Sequence, residues 1–390
     1  MSRYIYQQPD WPRFHWNQEA ISTPLTAVRH RQGRLIGRME ALGFPQRDEA
    51  VLETLTLDVL KSSEIEGQIL NPEQVRSSVA RRLGMDIAGL VPADRRVDGV
   101  VQMTLEATQN FAKPLTAERL FSWHAALFPT CGKGVTTLPP VPAHYSALGT
   151  GDEGTAKIRI GAWRDDAKGP MQVVSGAMGR ERVHFEAPPA KRLDAEMASF
   201  LDWVNRTGDV DPVLRAAEAH LWFVTIHPFD DGNGRIARAI ADWALARSEN
   251  SSQRFYSMSA QIRRERKEYY DILERTQKGT LDVTDWMQWF LGCLDRAIAG
   301  TETSLGTVFH KDRFWKSHIQ VALNERQRLI LNKLLDGDFG GNLTSSKWAK
   351  LTKCSQDTAH RDILDLVEHG ILVKDSAGGR STSYSLKEPS

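Results

Sequence analysis

Twelve consecutive residues, His227 to Arg238, read HPFDDGNGRIAR and lie between two segments built to be helices; no other stretch narrows the fold as much. Upstream, DPVLRAAEAHLWFVTI carries Asp211 where a helix N-cap belongs and Pro212 at the first helical position. Downstream, RIARAIADWALARS has helical periodicity from about Arg235. The pattern predicts two helices joined by a short loop that ends on a helix N-terminus.

That placement has chemical consequences. The first turn of a helix leaves backbone N–H groups unpaired and carries the positive end of the dipole, so it attracts phosphate. Gly232 and Gly234 let the backbone approach an anion closely. Arg235 and Arg238, three apart, stack on one helix face and can reach the same polyphosphate. Asp231 offers a carboxylate for Mg²⁺, and His227, titrating near neutrality, can take a proton from an attacking hydroxyl. Each element alone is common, whereas all of them in order between two helices are not.

The segment resembles the signature of the Fic (filamentation induced by cAMP) family, H-x-F-x-[D/E]-G-N-G-R-x-x-R, with every specified position met by His227, Phe229, Asp231, Gly232, Asn233, Gly234, Arg235 and Arg238. The resemblance implies a mainly α fold that transfers AMP from ATP to a protein hydroxyl. It also implies that His227 is the base, that Asp231 holds Mg²⁺, and that Asn233 and the Gly232 and Gly234 amides hold the α-phosphate region. By the same resemblance, Arg235 and Arg238 take the outer phosphates and Phe229 anchors the loop in the core. Farther upstream, Ser62, Glu66 and Gly67 in KSSEIEGQIL resemble the family's inhibitory motif, [S/T]-x-x-x-E-[G/N]. Residues four apart share a helix face, with Cβ atoms ~5–6 Å apart. Glu66 could then reach an arginine, and the resemblance implies that this arginine is Arg238 and that the contact holds the enzyme off.

Composition agrees with a multidomain cytoplasmic enzyme. At 390 residues the chain exceeds the size of a single core. A net charge of +1 argues against broad attraction to nucleic acid or anionic membrane. MSRYIYQQPDW has no basic stretch followed by an apolar run, so no secretory leader is expected, and LWFVTI is too short to span a bilayer. Cys131, Cys293 and Cys354 lie far apart without metal spacing and read as reduced thiols.

Three parts are expected: a helical region over 1–95 carrying the inhibitory helix, a core over 96–300, and a winged helix-turn-helix-like module over 310–390. Val51, Leu52, Leu55, Val59 and Leu60 form one stripe in the first part, and Trp11, Phe14 and Trp16 are expected to staple its opening helix. Within the core, Lys157 to Ala190 reads as extended. Ile158 and Ile160 alternate with Arg159, and Gln172–Val174 and Arg182–Phe185 flank a turn through Gly176 and Gly179. The resemblance makes this hairpin a flap, residues 171–186, on which a target docks as an added strand. It also implies that Val183, His184, Phe185, Glu186 and Tyr269 line the nucleotide pocket; a plain structural hairpin and a buried structural tyrosine are the competing readings. The C-terminal module is near neutral, with ten Lys and Arg against nine Asp and Glu over 324–390. A DNA reader normally shows a basic face, so docking or homodimerisation is favoured over DNA binding.

The expected function is protein adenylylation: ATP with Mg²⁺, a Ser, Thr or Tyr hydroxyl of a target delivered by the flap, and restraint by Glu66. Two alternatives stand beside it: a hydrolase removing AMP, with Glu66 activating water, and a nucleotide-sensing DNA-binding regulator. Neither the target nor the modified residue type is legible in the sequence.

Overall fold

The computed structural model describes residues 3–85, 90–129, 158–176, 180–304, 306–335, 339, 341–375 and 382–387. Asp211 caps a helix, α7 (Pro212–Ile226), by accepting from Val213 N at 2.8 Å, and the same carboxylate pairs with Arg29 at 2.7 Å. Pro212 supplies the fixed φ of the first turn and lacks the N–H that would go unbonded there. Nearly every residue of α7 is buried, as expected of a helix apolar all round. It is the central rod of the first of two compact units, which comprises residues 3–39 and 48–301.

Around α7 lie α6 (Leu193–Asn205), α8 (Asn233–Glu249) and α11 (Thr284–Ser304). Before them come α1 (Gln18–Glu40), α2 (Phe44–Ile65), α3 (Pro72–Arg82), α4 (Arg95–Gln109) and α5 (Ala117–Leu127). The short α9 (Met258–Arg264) and α10 (Arg266–Gln277) lie between α8 and α11. Helices α7 and α8 pack along their length and fix the loop between them. The expected stripe of α2 is buried at Val51, Leu52, Leu55 and Val59. Trp11 and Phe14 do not staple the first helix; they meet Trp222 of α7 edge-on, at 6.2 and 6.1 Å between ring centroids. A large aromatic gains more from a core tryptophan than from an exposed helix start.

The flap is a two-stranded antiparallel hairpin, β1 (Gln172–Ser175) and β2 (Arg182–Glu186), over which Tyr4 and Tyr6 pack through Phe185. Gly176, at φ +112°, leaves β1 where a Cβ would lie 2.7 Å from Arg180 O; Gly179 lies outside the described residues. Ile158 to Ile160, expected as strand, is not strand. Arg159 N donates to Asp230 Oδ2 at 2.8 Å and Gly161 turns the chain at φ +68°, so the segment docks on the loop before α8 instead of a ladder.

The second unit comprises residues 40–47 and 302–387. Its helices are α12 (Gly306–Ser317), α13 (Glu325–Leu335), α14 (Ser345–Thr352) and α15 (Gln356–Glu368), followed by the hairpin β3 (Leu372–Lys374) and β4 (Tyr384–Leu386). Trp348, Ile330, Ile363 and Leu366 centre a core of its own. No helix among the described residues is long and apolar enough to cross a membrane.

Candidate active site

Helix α7 ends at Ile226, with His227 as its cap, because Pro228 follows: the right-handed helical region is disfavoured for a residue before proline. His227 adopts the left-handed conformation instead, at φ +52°. For a residue with a side chain this costs on the order of 1–3 kcal/mol and persists only where neighbours enforce it. Arg164 does so, its Nε donating to His227 O at 2.8 Å and its backbone N to Pro228 O at 2.9 Å. Its guanidinium also reaches Pro188 O and Asp166, which ties the loop to the base of the flap.

The imidazole of His227 has Nδ1 3.2 Å from Val224 O, so Nδ1 carries the proton and Nε2 is the acceptor left for the cleft. The reading of a base titrating near neutrality needs correction here. Burial, with a smaller contribution from the Arg164 charge, lowers His227 to about 4, so the ring is neutral throughout the physiological range.

The loop is held from both sides. Phe229 is fully buried and stacks on His124 at 4.2 Å. His124, lowered to about 4 by burial, is neutral too, accepting from Gly161 N at Nδ1 and donating from Nε2 to Asp231 O at 3.2 Å. Asn233 closes a ring with Phe229, donating to its carbonyl at 2.7 Å and accepting from its N–H at 3.0 Å. Its side-chain amide is thus engaged in shaping the loop, while the residue itself lines the cleft. Gly232, at φ +83°, precedes α8, and its N–H donates to Asp231 Oδ1 at 2.6 Å. Asp231 leaves 40% of its side chain open, with Arg235 4.0 Å away.

Both arginines are buried and both are occupied. Arg238 donates from Nη2 to Glu66 Oε1 at 2.7 Å and to Ser62 O at 2.9 Å, and from Nε to Ser62 Oγ at 3.0 Å. Among the described residues its buried Nη1 meets no acceptor, and neither does Nε of Arg235. Arg235 Nη1 donates to Gln68 Oε1 at 2.9 Å, a contact absent from the sequence reading. Glu66 is not on the helix face shared with Ser62; α2 ends at Ile65. Gly67, at φ +77°, closes the helix, with Gln68 N bonding Ser63 O at 3.0 Å and Gly67 N bonding Glu64 O at 3.1 Å. That closure turns Glu66 and Gln68 onto the two arginines. Glu66 presses so close that a Cβ on Gly234 would lie 2.4 Å from its Oε1.

These groups border one open cleft of about 780 Å³, solvent included, lined by Glu66, His227, Asp231, Gly232, Asn233 and Gly234 on one side. On the other side stand Val173, His184 and Phe185 of the flap and Tyr269, Tyr270, Leu273, Glu274 and Gln277 of α10. Val183 and Glu186, expected in the lining, are not among these residues, and Glu186 accepts from Gln172 Nε2 at 2.8 Å. Tyr269 bonds His220 at 2.8 Å. Of the α10 residues only Tyr269 was expected; Tyr270, Leu273, Glu274 and Gln277 could not be read from sequence, because only the tertiary fold brings them beside the loop. Among the described residues no three His, Cys, Asp or Glu side chains gather as a cation cage. Mg²⁺ is commonly held by one or two carboxylates plus substrate phosphates, and the half-open Asp231 at a helix N-terminus fits that mode.

Residues 114–245 match the Fic/DOC family, and residues 4–85 match a domain of unknown function (DUF4172). The chain is similar to protein adenylyltransferase Fic of Culex quinquefasciatus, 32% identical over 131 residues, covering 32% of this chain and 25% of that protein. A uridine 5′-monophosphate transferase of Xanthomonas campestris pv. campestris (strain 8004) is 40% identical over 67 residues, 15% of this chain and 12% of that protein. The chain thus spans a quarter or less of the length of these relatives. In fold it is similar to the crystal structure of a Fic family protein from Desulfovibrio desulfuricans G20, with TM-score 0.55 and 20% identity over 96% of this chain and 98% of that one.

Proposed function

The chain is a member of the Fic/DOC family, and from that premise we propose that it is a protein adenylyltransferase, moving AMP from ATP to a Ser, Thr or Tyr hydroxyl and restrained by Glu66. One observation carries the reading. A neutral histidine with its free nitrogen left for the cleft stands beside a helix N-terminus whose phosphate-binding arginines are blocked by a carboxylate and an amide.

In this mechanism the triphosphate lies along the Gly232–Arg235 turn, where unpaired N–H groups and the helix dipole favour it. His227 Nε2 accepts the proton of the attacking hydroxyl as its oxygen bonds the α-phosphorus and pyrophosphate departs. Arg235 and Arg238 stabilise the leaving charge once Gln68 and Glu66 release them. The buried Nη1 of Arg238 and Nε of Arg235, lacking acceptors, are donors such a ligand would satisfy. Asp231 would hold a divalent cation, which would supply positive charge to offset that of the phosphates. The target docks along the 171–186 flap by added-strand pairing, and the C-terminal unit serves as a docking or self-association module of winged-helix type.

The test is transfer of label from α-phosphate-labelled ATP and, in parallel, UTP to proteins of a lysate by the full chain and by its Glu66→Gly variant. Adenylyl labelling that increases in the variant is expected. Labelling from UTP alone would replace the donor, and labelling from neither would remove the reading.

A further inference from the structure

The flap and α10 bring together three side chains that the mechanism above does not use. The hairpin register slips between Val173 and Val174, whose partners are Phe185 and Val183, so His184 is the extra residue of a bulge. Such a bulge re-aims a side chain, and His184 enters the gap between the strands and α10. Its Nε2 lies 2.5 Å from Ser175 Oγ and its Nδ1 lies 2.6 Å from Glu274 Oε2. Glu274 is itself fixed by Lys278 Nζ at 2.6 Å and Arg182 Nη2 at 3.0 Å. A carboxylate that accepts from Nδ1 sets the tautomer, which leaves Nε2 as an acceptor for the serine hydroxyl. Hydroxyl, imidazole and carboxylate in that order are the arrangement that activates a serine. Ser175 is half-buried, and His184 and Glu274 both line the nucleotide cleft.

We propose that Ser175 is a nucleophile, activated by His184 and oriented by Glu274, that takes a nucleotidyl group onto its own oxygen. The choice of donor rests on the adenylyltransferase reading; the activation of the serine does not. A bond forms from Ser175 Oγ to the α-phosphorus of ATP as the bond from that phosphorus to the pyrophosphate oxygen breaks. The hydroxyl proton passes to His184 Nε2, the imidazolium is held by Glu274, and pyrophosphate leaves with the electron pair. A flap serine so modified carries a bulky anion on the strand proposed to receive the target, so the reaction would mark the flap itself.

Two probes of the full chain decide it, each read by peptide mapping. The first is α-phosphate-labelled ATP with Mg²⁺ on the Glu66→Gly variant; the second is a fluorophosphonate ester, which needs no nucleotide site, on the unsubstituted chain. Label on Ser175 is expected from both. His184→Gln and Glu274→Gln should slow the fluorophosphonate reaction about 10²-fold or more, the scale of a lost general base. A hydrogen bond that merely tethers the flap would give no such reaction. Nucleotide transferred only to other residues, with Ser175 unreactive to fluorophosphonate, overturns the proposal and leaves the adenylyltransferase reading standing. Transfer to no protein at all removes that reading. The fluorophosphonate result then decides the serine alone: a mark on Ser175 that depends on His184 keeps the nucleophile, and an unmarked Ser175 or one indifferent to His184→Gln ends it.

Discussion

At the scale of single residues, the site turns on which groups are charged. His227 is buried and lowered to about 4, so it is an unprotonated base throughout the physiological range. Transfer should therefore show no loss between pH 8 and pH 6, where an ordinary histidine with pKa about 6.5 would begin to protonate. A rate that halves near pH 6.5 would contradict this assignment. His227→Ala should lower transfer about 10²–10⁴-fold while ATP binding, followed by calorimetry, persists. Glu66 and Gln68 act at the same scale with unequal strength. A carboxylate on a guanidinium makes a charge-assisted bond, and an amide does not. Glu66→Gly should raise self-adenylylation by roughly 5–150-fold, the range of ordinary coupling between sites. Gln68→Ala should raise it less, and adding Arg238→Ala to Glu66→Gly should remove most of the gain. A Gln68→Ala effect as large as that of Glu66→Gly would mean that Arg235, not Arg238, is the arginine that matters.

At the scale of elements, what was legible in the sequence was local. The two helices around the loop, the cap at Asp211 and the hairpin all follow from residues a few positions apart, although the second helix starts at Asn233, two residues before Arg235. The supports of the loop do not. Arg164 lies 63 positions from His227 and His124 lies 107 from Asp231, and nothing in their own neighbourhoods marks them. Alternating isoleucines at Ile158 and Ile160 suggested a strand, but that pattern is short, and Arg159 found a carboxylate in the loop before any ladder partner. Glu66 illustrates the same limit: its spacing from Ser62 suggested a helix face, while Gly67 in fact ends the helix and aims the side chain. Arg164 is the clearest test of such remote support. Arg164→Ala would leave the carbonyls of His227 and Pro188 without their donor and would release the strained backbone of His227. A loss of about 1–3 kcal/mol of stability is expected for buried groups left unpaired. The rate constant for transfer should fall more than the affinity for ATP. Equal changes in both would place Arg164 in folding alone.

At the scale of the whole molecule, two compact units have separate cores, and the residues of the candidate site all lie in the first. The first unit carries three buried neutral histidines: His124 and His227 lowered to about 4 and His220 to about 3, all chiefly by burial. Each binds a proton more readily unfolded than folded, so its stabilising contribution is complete above the unfolded value of about 6.5 and is lost as pH falls toward the folded value. By itself this share should lower the thermal stability of the first unit between pH 7 and pH 5, against an opposite share from the buried carboxyls of Glu218 and Asp242, raised to about 7 and about 8, even though the activity profile stays flat from 8 to 6. The second unit holds Arg326 in a bidentate pair with Asp362 and carries near-equal numbers of charges of each sign. That balance sets the expectation for its removal. A module that gripped DNA would release counterions on binding and show steep salt dependence, which demands an excess of cationic side chains. A module that docks protein or pairs with its own copy makes no such demand. Deleting residues 310–390 should therefore change the oligomeric state or the range of labelled targets, while self-adenylylation, carried by residues of the first unit, survives. Sedimentation of the full and shortened chains, beside labelling in the same lysate, measures both. If the isolated 310–390 fragment instead binds duplex DNA tightly at physiological salt, and Arg361→Ala or Arg380→Ala weakens it, the protein-docking role is wrong and the module is a DNA reader.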